Sequence, residues 1–389
     1  MNVVLGVSGS VAAYRACDLA RELMRAGFTV RACLTDGAAK FVSPTLFEAL
    51  TGQPCLQDTF EEPERGRMAH IDWARAASVL VVAPATANTV NKLANGYADD
   101  MLTTLALAYE GPIVVAPAMN PSMYANETVV ASLVRLVERG AFIVEPSEGD
   151  VACGEQGQGK LASIAELTSV VAAVASATQA LKGKKVLITS GPTEEPLDDV
   201  RMLTNRSSGK MGAAVARAAL LMGAKVTVVA GPQKAPLPLR ATAVRVTTAQ
   251  EMLDASLMHA KDADLVIGVA AVADYRPAKR AQGKIRSGEI ESIELVANPD
   301  VIAELAKASK GQVVAFAAEP AGSVEVAREK LARKGVHAIA VNDVSQGVFD
   351  SDSNALTLVF ANGETRSIER ASKLKCALWL LNEMGEAPA

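Results

Sequence analysis

Five short segments in the first 180 residues of this 389-residue chain combine side chains able to handle anions or move protons. Gly6-Val7-Ser8-Gly9-Ser10 follows an apolar run. Small residues there let backbone N–H groups approach a phosphate where a helix begins, and the Ser8 and Ser10 hydroxyls can add hydrogen bonds. The segment is not GxGxxG, and a lone turn of this kind is more often a tight strand-to-helix connection. Pro84-Ala85-Thr86-Ala87-Asn88-Thr89 is a second polar loop after an apolar run, and Pro117-Ala118-Met119-Asn120-Pro121-Ser122-Met123 a third. Asn120 can donate to a carboxylate or an amide, although on spacing alone an N-cap for the next helix is the better reading. His70 is the one histidine of this half; such a residue is usually structural but can serve as acid or base. Cys153 lies in Ala152-Cys153-Gly154-Glu155-Gln156-Gly157-Gln158-Gly159-Lys160, within a Gly-rich stretch, Glu148–Lys160, that reads as a mobile surface flap able to swing over a pocket. Cys17, Cys33, Cys55 and Cys376 fall on helices, strands or an apolar edge, where cysteine acts as a small hydrophobe.

In the second half, Ser207-Ser208-Gly209-Lys210 invites comparison with a P-loop, but Met211 follows the lysine and no GxxxxGK[ST] exists. A Walker-type ATPase is thereby excluded. Lys284 stands in a basic loop with Lys279, Arg280 and Arg286, which composition alone cannot tell from a solvated surface.

The elements that must position these residues alternate between strand and helix. Val3–Val7, Thr29–Leu34, Val79–Ala83, Ile113–Ala116 and Phe142–Val144 read as strands. The short continuous apolar runs among them fit strands buried on both faces of a parallel sheet. Helices are expected up to Ala26 before Gly27, near Pro44–Leu50, over Thr128–Arg139 before Gly140, and from Ile164 to about Ala180. The pattern restarts after Leu181-Lys182-Gly183-Lys184, placing a domain boundary at 181/182. Strands follow at Lys185–Ser190, Lys225–Ala230, Leu265–Ala270, Val313–Ala317 and Ala338–Val341, with helices over Ser208–Met222 and Ala249–Lys261. Three prolines make Pro232–Leu239 a loop. Ala355–Phe360 and Thr365–Ile368 around Asn362-Gly363 predict an appended hairpin, then a helix from Glu369 to about Met384. Repeated βαβ units put both halves in the doubly wound α/β class, whose ligands bind at the carboxyl ends of the strands.

Composition sets the class. Half the residues are apolar and 21% charged, as in an ordinary folded protein. The longest apolar runs fall far short of the ~18–20 residues of a membrane span, and no basic segment leads into an apolar one at the start. Five scattered cysteines without a CxxC disfavour a disulfide scaffold or zinc ribbon, so a cytoplasmic protein is expected. Residues 1–180 hold 12 Lys+Arg against 19 Asp+Glu, while residues 181–389 hold 27 against 24. The net charge of −4 argues against bulk nucleic-acid binding. The split favours different ligands in the two halves, with phosphates better received in the second.

In combination the motifs are specific. GxSGS, His-Ile-Asp, PATANT, PAMNPSM and ACGEQGQGK, in this order, resemble the flavin-dependent cysteine decarboxylases. SGPTEEPLDDVR (190–201), TNRSSGKMG (204–212), AAVADYRP (270–277), KIRS (284–287), NPDV (298–301) and AVNDVS (340–345) resemble the phosphopantothenate–cysteine ligases. Together, over nearly the whole chain, they resemble the bifunctional phosphopantothenoylcysteine decarboxylase/phosphopantothenate–cysteine ligase family of bacterial coenzyme A biosynthesis. The resemblance implies a flavodoxin-like flavoprotein half of the HFCD type (residues 1–181) and a Rossmann-like ligase half with the added hairpin (182–389). It implies FMN against Ser8, Gly9, Ser10, Thr35, Thr86, Asn88 and Thr89. His70 would act around thiol oxidation and decarboxylation, Asn120 as carboxylate clamp, and Cys153 as the acid of the reductive step. In the second half it implies that CTP activates 4′-phosphopantothenate as an acyl-cytidylate, which cysteine then attacks, with Mg²⁺ as metal. Lys284 would support cytidylate formation and Asn205 its turnover. Asp274 would touch CTP and the metal, and Gly268, Val269, Ala270, Pro299, Asp300, Val301, Ile302, Phe316, Lys330 and Lys334 the nucleotide. Pro320 departs from the threonine expected after Glu319, which puts one loop contact in doubt. The family also implies trimeric decarboxylase units joined by ligase dimers, a homo-oligomer that closes as a dodecamer. The rival reading is a flavin oxidoreductase without ligase activity.

Overall fold

The computed structural model describes residues 1–60, 67–150, 154–176, 179–286, 292–319, 324–343, 351 and 353–386, which form two compact units, Met1–Ala177 and Thr178–Ala389. In the first unit, strand β1 (Asn2–Val7) is buried over five of its six residues, as a central parallel strand requires. It pairs in parallel with β2 (Thr29–Leu34) on one side and β3 (Val79–Ala85) on the other. Next come β4 (Ile113–Pro117) and the short β5 (Phe142–Ile143), giving the parallel order β2-β1-β3-β4-β5. That is the flavodoxin-like order, whose direction reverses between β1 and β3. Gly6 lets the helix Met101–Ala108 press on β1: a Cβ at Gly6 would stand 2.4 Å from Leu102 Cδ1. Leu5 and Leu102 are both fully buried, each worth roughly 2 kcal/mol of burial.

The stretch expected as a flap forms a ribbon of β6 (Ser147–Asp150) and β7 (Gln156–Lys160). Its glycines serve packing as much as flexibility. A Cβ on Gly159 would meet the Met119 carbonyl oxygen at 2.2 Å, and the Met119 N–H donates to the Gly159 carbonyl at 3.0 Å.

The second unit restarts with β8 (Lys185–Ser190). A small ribbon of β9 (Glu194–Pro196) and β10 (Met202–Thr204) follows, then β11 (Lys225–Ala230), β12 (Thr242–Arg245) and β13 (Leu265–Gly268). A second ribbon, β14 (Tyr275–Pro277) with β15 (Leu295–Ala297), precedes β16 (Gln312–Glu319), β17 (Ala338–Asp343), β18 (Ser353–Phe360) and β19 (Thr365–Ser372). The main sheet runs β12-β11-β8-β13-β16-β17-β18-β19, parallel through β17 and antiparallel after it. Its first six strands have the Rossmann order, with the reversal between β8 and β13. The last two are the expected hairpin, turned at Gly363 with φ of 88°. The final helix begins at Lys373 rather than Glu369, because β19 keeps pairing with β18 out to Ser372.

Candidate functional site

In the first unit the strand ends and the singled-out loops coincide. Ser10 caps the single 3-10 turn Val11–Tyr14 by accepting from Ala12 N–H. Thr35, after β2, accepts from Ala38 N–H, and Thr86, after β3, accepts from Thr89 N–H. Asn120, after β4, accepts from Ser122 N–H at 2.8 Å. Four consecutive strands thus deliver a capping side chain to the carboxyl edge of the sheet.

These loops are bonded to one another across the reversal point. The Ser8 hydroxyl donates to the Pro84 carbonyl at 2.8 Å and accepts from Thr86 N–H at 2.9 Å. Through these two bonds Ser8 holds the loops together. Ser10 Oγ lies 3.4 Å from the Ala118 carbonyl oxygen, tying the first loop to the third. Gly9 is packed on Gly37, and a Cβ at Gly9 would come within 2.8 Å of the Gly37 carbonyl carbon. Gly9→Ala must therefore spread the first two loops. We expect loss of most bound flavin, read as absorbance near the flavin band, with the far-ultraviolet spectrum kept; full flavin content would show that this contact does not shape the site. Thr89 is buried, and Asn88 points outward on the first turn of the helix Ala87–Asn95.

Asn120 has a second bond that the sequence did not reveal. Its Nδ2 donates to Glu155 Oε2 at 2.8 Å, joining the third loop to the ribbon that bears β7. Asn120 is therefore both an N-cap and a polar group facing the Gly-rich stretch. Cys153 lies outside the described residues. The four described cysteines behave as hydrophobes: burial pushes the Cys55 thiol up to about 12, and burial also raises Cys17, Cys33 and Cys376. His70 is half-buried on the second residue of the helix Ala69–Ala76, which leads toward β3, and the loop-to-loop bonds above do not pass through it.

In the second unit the loops after β8 and β13 pair at their own reversal point. Ala271 N–H donates to Gly191 O at 2.9 Å, and Ala273 N–H to Thr193 Oγ1 at 3.0 Å. Asn205 joins them, its Nδ2 donating to the Val272 carbonyl at 3.0 Å. Gly209, at φ 77°, starts the helix Lys210–Leu221 without a side-chain cap. Gln233, from the Pro-rich loop, fills that turn and accepts from Ser190 Oγ at 2.6 Å. Sequence reasoning treated that loop as mere connection and missed Gln233.

The remaining assigned positions are spread over β13, β16 and the helices Val301–Ala308 and Val324–Lys334. Gly268 faces Ile302, whose Cδ1 would stand 2.6 Å from a Cβ there. Asp300 caps the helix Val301–Ala308 and pairs with Lys334, while the Val301 side chain belongs to the apolar core. Phe316 is half-buried in β16, and Lys330 is half-buried on the helix Val324–Lys334. Val269 and Ala270 donate to Thr189, through its carbonyl and its Oγ1 respectively. Asp274 is exposed, and its carbonyl accepts from Asn298 N–H at 2.8 Å; Pro299 follows on the same turn. Pro320 lies outside the described residues. No three His, Cys, Asp or Glu side chains converge as a metal cage among the described residues.

Two doubly wound sheets, each with polar caps or paired loops at its reversal point, define a pair of nucleotide- or flavin-type α/β enzyme domains on one chain. Residues 1–176 match the flavoprotein family, and residues 181–387 match the DNA/pantothenate metabolism flavoprotein C-terminal domain. The coenzyme A biosynthesis bifunctional protein CoaBC of Haemophilus influenzae is 40% identical over 389 residues, covering 99% of this chain and 97% of its own. Among solved structures, the C-terminal domain of a coenzyme A biosynthesis bifunctional protein CoaBC is 37% identical, covers 54% of this chain and 97% of its own, and has a TM-score of 0.47. The FMN-dependent cysteine decarboxylase SpaF is 34% identical, with 41% and 90% covered and a TM-score of 0.38. The chain belongs to the bifunctional coenzyme A biosynthesis protein family.

Proposed function

We infer that this chain makes 4′-phosphopantetheine in two steps, with residues 182–389 as phosphopantothenate–cysteine ligase and residues 1–181 as phosphopantothenoylcysteine decarboxylase. The observation that carries the reading is that one chain holds two doubly wound sheets, matched end to end by relatives named as bifunctional proteins of coenzyme A biosynthesis.

The loop set after β1 to β3 fits FMN. Gly9 and Gly37 keep the approach free of side chains, and the capped turns at Ser10, Thr35 and Thr86 present polar groups where a phosphate can sit. FMN held there would supply reversible two-electron redox chemistry for the substrate thiol, so that the decarboxylation has no net redox change. A thioaldehyde places C=S β to the carboxylate, so the C–C bonding pair has somewhere to go. Asn120 grips the substrate carboxylate from the loop after β4. His70 handles the proton of the thiol step, and Cys153 supplies a proton to the enethiolate carbon as it is reduced.

In the second half, Lys284 offsets charge that builds up as the phosphopantothenate carboxylate attacks the α-phosphorus of CTP. Asp274 would hold Mg²⁺ jointly with the nucleotide phosphates, which suits a metal that needs few protein ligands. Asn205 positions the acyl-cytidylate for attack by the cysteine amine, and CMP departs.

We also infer a cytoplasmic homo-oligomer closing as a dodecamer. The four described cysteines are free thiols, which supports the compartment, and among the described residues no helix is long and apolar enough to cross a membrane. Exposed apolar side chains beside each candidate site support the assembly: Val11, Tyr14 and Phe41 in the first half, and Met202, Tyr275 and Leu295 on the ribbons of the second.

The test is a purified, full-length preparation. It should carry a flavin spectrum, release one pyrophosphate per site from CTP with Mg²⁺ and 4′-phosphopantothenate, turn over continuously only when cysteine is added, and yield 4′-phosphopantetheine. A flavin-bearing protein without CTP-dependent pyrophosphate release would favour the oxidoreductase reading. A monomer by light scattering, still holding stoichiometric flavin, would overturn the assembly.

A further inference from the structure

In the motif Ser190–Arg201 the adjacent carboxylates of Asp198 and Asp199 both point at the basic loop. Asp198 is 2% exposed. Its Oδ1 accepts from Val200 N–H and Arg201 N–H, both at 2.7 Å, and closes its own turn. Its Oδ2 accepts from Ile285 N–H at 3.2 Å and lies 3.5 Å from Arg201 Nη1. Asp199 takes the other side of the loop: Oδ2 accepts from Gly283 N–H and Oδ1 from the Arg280 guanidinium, each at 3.0 Å. Ala281 N–H donates to the Leu197 carbonyl at 3.0 Å, so alternate amides at 281, 283 and 285 all dock on residues 197–199. Arg201 returns a bond from its Nη2 to the Ile285 carbonyl at 3.0 Å. The Ile285 side chain is itself buried. The residues on both sides of Lys284 are therefore fastened through their N–H groups, while Lys284 is exposed.

We propose that Asp198 and Asp199 are positioning residues: they clamp the segment 281–285 and thereby set where the Lys284 ammonium stands during attack on the nucleotide. The proposal rests on the reading of Lys284 given above. Desolvation pushes the Asp198 carboxyl up, but the N–H groups of Val200, Arg201 and Ile285 and the Arg201 guanidinium outweigh it and hold the group below the usual carboxylate value. Asp198 is consequently charged at neutral pH. A lysine on a loose loop would lose most of its contribution, since a displacement of about 1 Å at a reacting centre can cost about 10²-fold in rate.

Asp198→Asn separates the clamp from the local fold. The amide oxygen still accepts from Val200 and Arg201, but an –NH₂ group now faces the Ile285 N–H and the Arg201 guanidinium. In the full-length holoenzyme, hydrogen exchange at the Ile285 amide should rise at least about tenfold, with β8 and β13 still protected. The kcat for CTP-dependent pyrophosphate release should fall about 10²-fold with KM for CTP within about threefold, the pattern of an interaction made in the transition state. Decarboxylation of supplied phosphopantothenoylcysteine should be unchanged. Wild-type kcat in Asp198→Asn, or an Ile285 amide that stays protected, overturns the clamp. If protection is lost throughout the second half, Asp199→Asn decides, because that exposed carboxylate can be altered without opening the core. It must free the Gly283 amide and lower kcat, or the proposal falls. Lys284→Ala is run alongside: wild-type turnover there would refute the reading of Lys284, and the exchange data would still report separately whether the carboxylates fasten the loop.

Discussion

Replacing Cys153 by serine should stop 4′-phosphopantetheine formation while CO₂ is still released, leaving an enethiol with the electrons retained on the cofactor. The reasoning is about acidity. An ordinary thiol titrates near 8.5, several units below an aliphatic hydroxyl, so serine at the same place is a far poorer proton donor to carbon. General acid catalysis of this kind is worth about 10²–10⁴-fold, enough for the last step to fail on the timescale of the first two. The four described cysteines offer no substitute, since burial has pushed each of their thiols upward. Flavin content and CTP-dependent ligation should be unaffected by Cys153→Ser. The measurement is mass detection of the product together with the flavin spectrum under anaerobic turnover. Phosphopantetheine made at the wild-type rate would end the assignment of Cys153.

What the sequence made legible follows from how each feature is encoded. Parallel strands buried on both faces write themselves as continuous apolar runs, so Val79–Ala83 and Ile113–Ala116 were placed within one or two residues of β3 and β4. The Asn-Gly hairpin was equally plain, because the turn demands a positive φ that Gly363 supplies. The small ribbons were not. Glu194–Pro196 and Met202–Thr204 are three residues long and half polar, too short for alternation to show, although they pair with each other across a short loop. β12 was missed for a related reason: as the sheet edge it is mostly exposed, so Thr242–Arg245 carries no apolar run.

The same limit governs the site. Loops at strand ends could be read from position, and their N-caps from residue type. Cross-loop partners could not. Glu155 meets Asn120 across 35 positions, and Gln233 meets Ser190 across 43. Neither carries a local signal beyond being a polar residue in a loop. Asp198 and Asp199 sat inside a recognised motif, yet only tertiary structure shows that their acceptor atoms face amides more than 80 residues away. Motif membership marked them as part of the machinery; geometry alone says what they hold.

Asn205→Asp should leave the first chemical step of ligation intact and stall the second. The Asn205 amide nitrogen donates to the Val272 carbonyl, on the loop after β13 that carries Asp274 two residues on. Asn205 thus bridges the segment ahead of the helix Lys210–Leu221 and the loop at the reversal point. An aspartate of the same shape turns an attractive N–H···O=C contact into two oxygens facing each other. It also puts a negative charge where an acyl-cytidylate, already anionic, must sit. On the proposed reading activation is carried by Lys284, which Asn205 does not touch, and Asp274 keeps its own place through the bond of its carbonyl to Asn298 N–H. Attack by the cysteine amine depends on the carbonyl being held still, and losing one well-aimed group at such a centre costs about 10²–10³-fold. A rapid-mixing experiment should therefore show a burst of one pyrophosphate per site followed by near-arrest, with the acyl-cytidylate recoverable from the protein. Asn205→Ala, which removes the bond without adding charge, should give the same burst with a less severe arrest. Absence of any burst in both variants would mean that Asn205 builds the nucleotide pocket and has no part in turnover. Steady-state ligation at the wild-type rate would remove it from the site altogether.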